Sequence, residues 1–184
     1  MSEKPTISFK QLKRSHLPIL LEWLNASHVQ EFWDTGTVWT EQLVQAKYGS
    51  YVEGYKFVDG KKLPLQAFII YCGADPIGYI QFYDAFLFPR DSYSLQETLK
   101  DTPFETSRLA AIDIFIGDIR AVGQGMGPLA MKQFLTEYVR KSFEGCLVDP
   151  EKTNERAIRA YEKSGFAKIK DTPNHKTNIM IASL

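Results

Sequence analysis

The residues best placed to do chemistry lie along one run of the chain. It begins at Asp113 inside the apolar stretch Ile112-Asp113-Ile114-Phe115-Ile116 and ends in Gly123-Gln124-Gly125-Met126-Gly127-Pro128. Alternating glycines leave backbone N–H groups uncovered and tolerate positive φ. Met131, Phe134, Leu135 and Tyr138 follow at helical spacing, and Pro128 suits the first turn of that helix. The chain thus reads strand, glycine loop, helix. Helix N-terminal amides and the dipole favour an anion, so the loop predicts a pyrophosphate cradle. Neither common phosphate fingerprint fits. A P-loop needs Gly-Lys-Ser/Thr, and this chain has Gly127-Pro128-Leu129; a dinucleotide loop needs G-x-G-x-x-G, and this chain has G-x-G-x-G. An ordinary glycine-rich turn is the other reading of these residues.

Composition narrows the partners. The chain has 184 residues, the size of one ordinary domain, so a single domain over 1–184 is expected. With 44% hydrophobic and 24% charged residues it reads as a soluble globular protein. Basic and acidic residues balance at 22 each, which gives no argument for nucleic acid or a membrane surface as partner. No apolar run reaches the length of a membrane span, and Met1-Ser2-Glu3-Lys4-Pro5 lacks the apolar core of a signal peptide. Cys72 and Cys146 lie in apolar strand-like runs and are expected as buried free thiols, which makes a cytoplasmic location the default. His16, His28 and His175 are scattered, and no metal site is expected.

The elements that must hold these residues follow from periodicity. Ile7 to Leu12 alternates as a half-buried strand. Ser15 is expected to cap a helix with Pro18 in its first turn and Leu17, Leu20, Leu21 and Leu24 on one face. Asn25 to Asp34 reads as a connector. Thr40 is expected to cap a second helix containing Leu43, Val44, Tyr48 and Tyr51. Gly54 to Leu63 reads as polar and turn-rich. Leu65–Cys72 and Ile77–Tyr83, joined by Gly73-Ala74-Asp75-Pro76, read as a hairpin. Phe86 to Ser107 is expected to be irregular, and a loop of that length is usually functional or mobile. Leu109–Gly117 is a strand, followed by a helix to about Phe143 and a short strand at Cys146–Val148. Asn154–Ser164 is a helix stopped by Gly165, and Phe166–Lys170 and Asn178–Ser183 are the last strands. The order is two helices, a hairpin, then β-α-β-α-β-β.

That order resembles the GNAT fold, and so do two motifs. Arg120-x-x-Gly123-x-Gly125 is similar to the acyl-CoA loop of GNAT-type N-acetyltransferases. The second and more specific is Asn154-x-x-Ala157-x-x-x-Tyr161-x-x-x-Gly165-Phe166. Within that superfamily the chain looks like an aminoglycoside 6'-N-acetyltransferase. The segments that carry this are Glu22 to Trp33, Pro76-Ile77-Gly78-Tyr79, Ile112-Asp113, Gly123 to Gly127, Asp149-Pro150 and Asn154 to Phe166. Residues 86–107 depart from that group, and Leu109-Ala110-Ala111 stands where it has Arg-Gly.

The resemblance implies an α/β (α+β) domain whose mixed, mostly antiparallel central sheet is splayed at an acetyl-CoA cleft and flanked by helices. It implies direct acetyl transfer from acetyl-CoA to a primary amine of a small polycation. Asp113 would be the base and Tyr161 the acid to the departing thiolate. Backbone amides of Ile114, Phe115 and Ile116 would hold the pantetheine arm and polarise the thioester. Gly123, Gln124, Gly125, Met126, Gly127 and Pro128 would take the pyrophosphate, and Asn154 and Lys163 would complete the cofactor site. Trp33 and Tyr48 would supply flat walls, and Asp91, Asp113 and Asp149 the acids, for the amine substrate. Monomer and homodimer both fit. A siderophore-type lysine N-acyltransferase, which usually carries His at the Asp113 position, is the nearest alternative. Acetylation of a protein or ribosomal protein, and a non-catalytic acetyl-CoA-binding module, are the others.

Overall fold

The computed structural model describes residues 6–90 and 93–184. Its elements in chain order are β1 (Ile7–Gln11), α1 (Leu17–Leu24), α2 (Ser27–Gln30), α3 (Glu41–Val52), β2 (Tyr55–Val58), β3 (Lys61–Pro64), β4 (Gln66–Cys72), β5 (Asp75–Asp84), α4 (Leu95–Leu99), β6 (Leu109–Ile116), α5 (Met126–Glu137), β7 (Gly145–Val148), α6 (Glu155–Lys163), β8 (Ala167–Asp171) and β9 (Asn178–Ser183). Helices flank a seven-stranded sheet of order β1-β4-β5-β6-β7-β9-β8. The β1–β4, β7–β9 and β8–β9 pairs are antiparallel, and β6–β7 is parallel.

The chain forms two compact units: residues up to Gln81 with Ile114–Ala130, and Phe82–Asp113 with Met131–Leu184. Strands β5 and β6 and helix α5 each contribute to both. In the first unit, β1 runs against β4 with Phe9 opposite Ile70. The apolar face of α1 buries Leu17, Leu20, Trp23 and Leu24, and α3 buries Val44, Tyr48 and Tyr51. Thr40 caps α3, its hydroxyl accepting from the Leu43 N–H at 3.3 Å. In the second unit Leu95, Leu99, Leu109, Leu147, Ile179 and Ile181 form one apolar cluster. Burying such side chains is worth about 1.5–3 kcal/mol each.

Several elements differ from the sequence reading. Ser15 does not cap α1; it lies in a 3-10 turn, Arg14–His16, and neither that turn nor α1 has a side-chain cap bond. The connector after Asn25 contains the short helix α2. The segment 54–63, expected to be turn-rich, is largely a second hairpin, β2–β3. Its signal was Asp59-Gly60, both at positive φ (48° and 77°), as a two-residue type I′ turn requires. The long segment 86–107 contains α4, capped by Ser94, whose hydroxyl accepts from the Glu97 N–H. Helix α5 stops at Glu137 and a 3-10 turn, Val139–Lys141, covers part of the stretch read as helix. Cys146 is buried and Cys72 only partly; both are free thiols. Among the described residues no helix is long and apolar enough to cross a membrane.

Candidate active site

The glycine loop belongs to the first unit. Asp118 holds its approach, accepting from the Arg120 backbone and guanidinium, with Arg120 Nη2 at 2.6 Å. That pairing lowers the Asp118 pKa and leaves the Arg120 side chain 82% exposed. Gly123 and Gly125 stand at φ +79° and +76°, and a Cβ built on either would meet nothing within 4 Å. The loop is therefore shaped by residues free to adopt left-handed backbone and opens onto free space. It leads into the twelve-residue helix α5, with Pro128 in the first turn as expected. Such a loop fits an anion on backbone N–H groups. One of those amides is already engaged: the Gln124 N–H donates to Ala121 O at 3.4 Å.

The strand leading to the loop is fixed by aromatic packing. The Phe115 ring stacks on Tyr79 with centroids 5.5 Å apart and meets Trp33 edge-on at 4.8 Å. Such pairs contribute about 0.5–1.5 kcal/mol each beyond burial. His28 Nε2 donates to Ile116 O at 3.1 Å, which selects the tautomer protonated at Nε2. Gly117 must be glycine, because a Cβ there would lie 2.2 Å from the Trp23 ring.

The loop carrying Trp33 is also tied down. Asn25 spans it with three bonds: Nδ2 donates to Leu21 O and Trp39 O, and Oδ1 accepts from the Trp39 N–H. Trp33 is partly exposed and donates from Nε1 to the Tyr48 hydroxyl at 3.3 Å. Tyr48 itself corrects an expectation. It is 0% exposed, enclosed by Trp39, Tyr51 and Tyr79, and so cannot be a wall that a substrate touches. It supports Trp33 instead.

The second unit gathers the titratable groups. Asp113, on β6, accepts a hydrogen bond from the Tyr83 hydroxyl. Burial and the negative charge of Asp113 push the Tyr83 pKa well above its ordinary value. Asp149, just after β7, is not a free acid. Its Oδ2 accepts from Arg90 Nη1 at 2.8 Å and from the Tyr93 hydroxyl at 3.0 Å. Burial is the largest single influence and opposes the Arg90 charge, but Asp149, Tyr93, Tyr83 and Asp113 together outweigh it and raise the guanidinium pKa. Tyr161, half-buried on α6, has its pKa raised by burial first and then by Asp113, Asp149 and Cys146. Its hydroxyl keeps its proton across the neutral range. Burial, then Asp113, likewise raises the Cys146 thiol.

Asn154 caps α6: its Oδ1 accepts from the Ala157 N–H at 3.0 Å. Lys163 is exposed in the last turn of that helix. Asp91, expected among the substrate acids, lies outside the described residues. Tyr83, Arg90 and Tyr93 were missed by sequence reasoning. Tyr83 looked like the end of an ordinary strand, and the other two lie in the segment where the resemblance fails.

Comparison with known proteins settles the family. The profile described as "Acetyltransferase (GNAT) domain" matches residues 13–173. The chain belongs to the GNAT acetyltransferase family. It is an acyltransferase, and acetyl-CoA is its acyl donor. Two curated relatives, both aminoglycoside N(6')-acetyltransferase type 1, come from Klebsiella pneumoniae and Serratia marcescens. Each is 29% identical over 164 residues, covering 88% of this chain and 74% of the relative. Among solved structures, aminoglycoside acetyltransferase AAC(6')-Ib in complex with coenzyme A and kanamycin aligns with a TM-score of 0.72 and 25% identity, covering 97% of this chain and 95% of that one. A complex of AAC(6')-Ib with acetyl-CoA gives 0.74 and 26%, over 97% and 93%.

Proposed function

We propose that this GNAT enzyme acetylates a primary amine, the 6'-amine of an aminoglycoside, with Asp113 as base and Tyr161 as acid. The observation that carries the reading is the local chemistry of Asp113. It is a carboxylate steadied by the Tyr83 hydroxyl, with Tyr161 among the groups that feel its charge. The backbone amides of Ile114, Phe115 and Ile116 follow it directly in the chain. The names of the curated relatives support the choice of amine.

Bound acetyl-CoA supplies an activated acyl carbon, whose bond to sulfur breaks as its bond to nitrogen forms. An alkylammonium is no nucleophile, so a proton must leave first, and Asp113 holds the cation and takes that proton. Amides of residues 114–116 donate to the carbonyl oxygen as charge develops there, the work of fixed dipoles. Tyr161 gives its hydroxyl proton to sulfur and regains one from the acylated nitrogen. Of the two protons the ammonium loses, one passes through Asp113 to solvent and the other ends on the thiol. The open glycine loop and the α5 N-terminus would take the pyrophosphate, and Asn154 and Lys163 would contact the cofactor. Trp33 would offer an apolar face to sugar C–H groups, and Asp149 would lie on the substrate side.

Purified protein with acetyl-CoA should acetylate kanamycin or tobramycin, and a 6'-hydroxy aminoglycoside should give no turnover. Asp113→Asn should keep acetyl-CoA affinity and lose most turnover at neutral pH. Full activity in that variant removes Asp113 from the mechanism, and turnover of the 6'-hydroxy compound removes the regiochemistry.

A further inference from the structure

His28 has no part in the mechanism above, but it bonds the backbone at the end of β6, and every group involved lies in the first unit. Two neighbours of Ile116 point toward β5. A Cβ on Gly78 would lie 2.4 Å from Phe115 O, and the Gly117 N–H donates to Ile77 O at 2.9 Å. Polar groups alternate between the two edges of a strand, so the N–H and C=O of Ile116 point to the other edge. The β6–β7 pairing covers Leu109–Ala111 and stops short of Ile116. There the Ile116 carbonyl accepts from His28 Nε2 at 3.1 Å. A side chain supplies the donor that a neighbouring strand supplies elsewhere in a sheet.

The Ile116–Gly117 peptide unit is thus held at both polar ends, its C=O by His28 and its N–H by Ile77. A trans peptide is planar, so two opposed bonds fix its tilt. Gly117 makes such a hold necessary. Trp23 leaves no room for a Cβ at that position, and glycine restrains its own backbone least. At the other end of the bond, α2 is a fixed post. Val29 is buried, Asn25 just before the helix bonds Leu21 and Trp39, and the Trp33 N–H donates to Val29 O at 2.9 Å. Loss of the His28 bond therefore frees the strand end rather than the helix.

We propose that His28 is a positioning residue for the acyl donor: by holding the Ile116 carbonyl it fixes the outward-facing Ile116 N–H where the thioester arm of acetyl-CoA needs a donor. The inference rests on reading that edge of β6 as the place where the arm lies. His28 acts through the backbone and touches no reacting atom.

The test compares two replacements of similar length. His28→Gln keeps an N–H donor, and His28→Met has none. In calorimetric titration with CoA, His28→Met should weaken binding about tenfold, the effect of one hydrogen bond lost on a part-buried carbonyl, and His28→Gln should stay within about threefold of wild type. Wild-type CoA affinity in His28→Met, whatever its melting temperature, overturns the proposal, and so does an equal loss in both variants. Wild-type protein gives a second readout that no variant's folding can spoil. On adding CoA, the NMR signals of the Ile116 and Gly117 amides and of the His28 Nε2–H should shift together. Shifts at Ile116 and Gly117 with none at His28 sink the His28 role alone. No shift at any of the three sinks the reading of this edge as the cofactor's place, and the inference with it.

Discussion

Gly78→Ala tests whether the backbone after Asp113 must sit where it does. A Cβ at Gly78 would lie 2.4 Å from the Phe115 carbonyl oxygen, 3.2 Å from Ile116 Cα and 3.3 Å from Ile116 Cδ1. The nearest obstacle is backbone inside a strand, so no side-chain rotation relieves it. Bringing 2.4 Å into the ordinary range, which starts at 3.4 Å, takes about 1 Å of movement. That movement falls on Phe115 and Ile116, whose amides are the proposed carbonyl-polarising donors. A misplacement of ~1 Å can cost on the order of 100-fold in rate, and overpacking costs roughly 1–3 kcal/mol of stability. Thiol release with the best amine of a panel should therefore show kcat/KM down about 100-fold, with a lower denaturation midpoint. The control is Gly49→Ala, in α3, where an added Cβ meets nothing within 4 Å. It should stabilise by roughly 0.5–1 kcal/mol, because alanine loses less backbone entropy in a helix. A Gly78→Ala enzyme within twofold of wild type would refute the claim that strand position after Asp113 governs the rate.

Asn154→Ala should cost about 1 kcal/mol in chemical denaturation through loss of the α6 cap. Asn154→Asp should restore that stability while still raising the KM for acetyl-CoA, and an unchanged KM in both variants would leave Asn154 as a cap only. Tyr161→Phe should lower kcat on the order of 100-fold with little change in the acetyl-CoA KM, as loss of a general acid does; retained kcat would remove the acid role. Lys152 and Lys168 hold the Asp171 carboxyl down to about 2, below the ~3.9 of an unfolded chain. The folded form then binds fewer protons, so the stability this carboxylate contributes is full above pH ~4 and is lost as pH falls toward 2. Thermal melts across that window should slope less steeply in Asp171→Asn, and parallel slopes would refute the linkage.

Local patterns in the chain reached much of the fold. Thr40 announced a helix start because a short polar side chain satisfies an amide no helix can. Gly165, at φ +96°, marked a stop because left-handed backbone suits glycine. Alternation in Ile7–Gln11 marked a strand with one buried face. The misses share a cause. The strands β2 and β3 have four residues each and α4 has five, too short for periodicity to register, so their signals were a turn dipeptide and a capping serine. Tyr48 was misread because an aromatic residue has the same spacing whether it faces a ligand or a core.

What the sequence determined by itself is the chemistry on offer: an acid on a strand, an uncovered glycine loop, and a tyrosine on a helix stopped by glycine. Each depends on neighbours within a few residues, which periodicity and turn chemistry register. Only the tertiary structure decided which of these groups are already taken. Arg90 and Tyr93 reach Asp149 from far along the chain, and Tyr83 reaches Asp113 from another strand. Pairings of that kind arise when separated segments fold together. They decide which partners Asp113 and Asp149 already hold, and no local pattern encodes them.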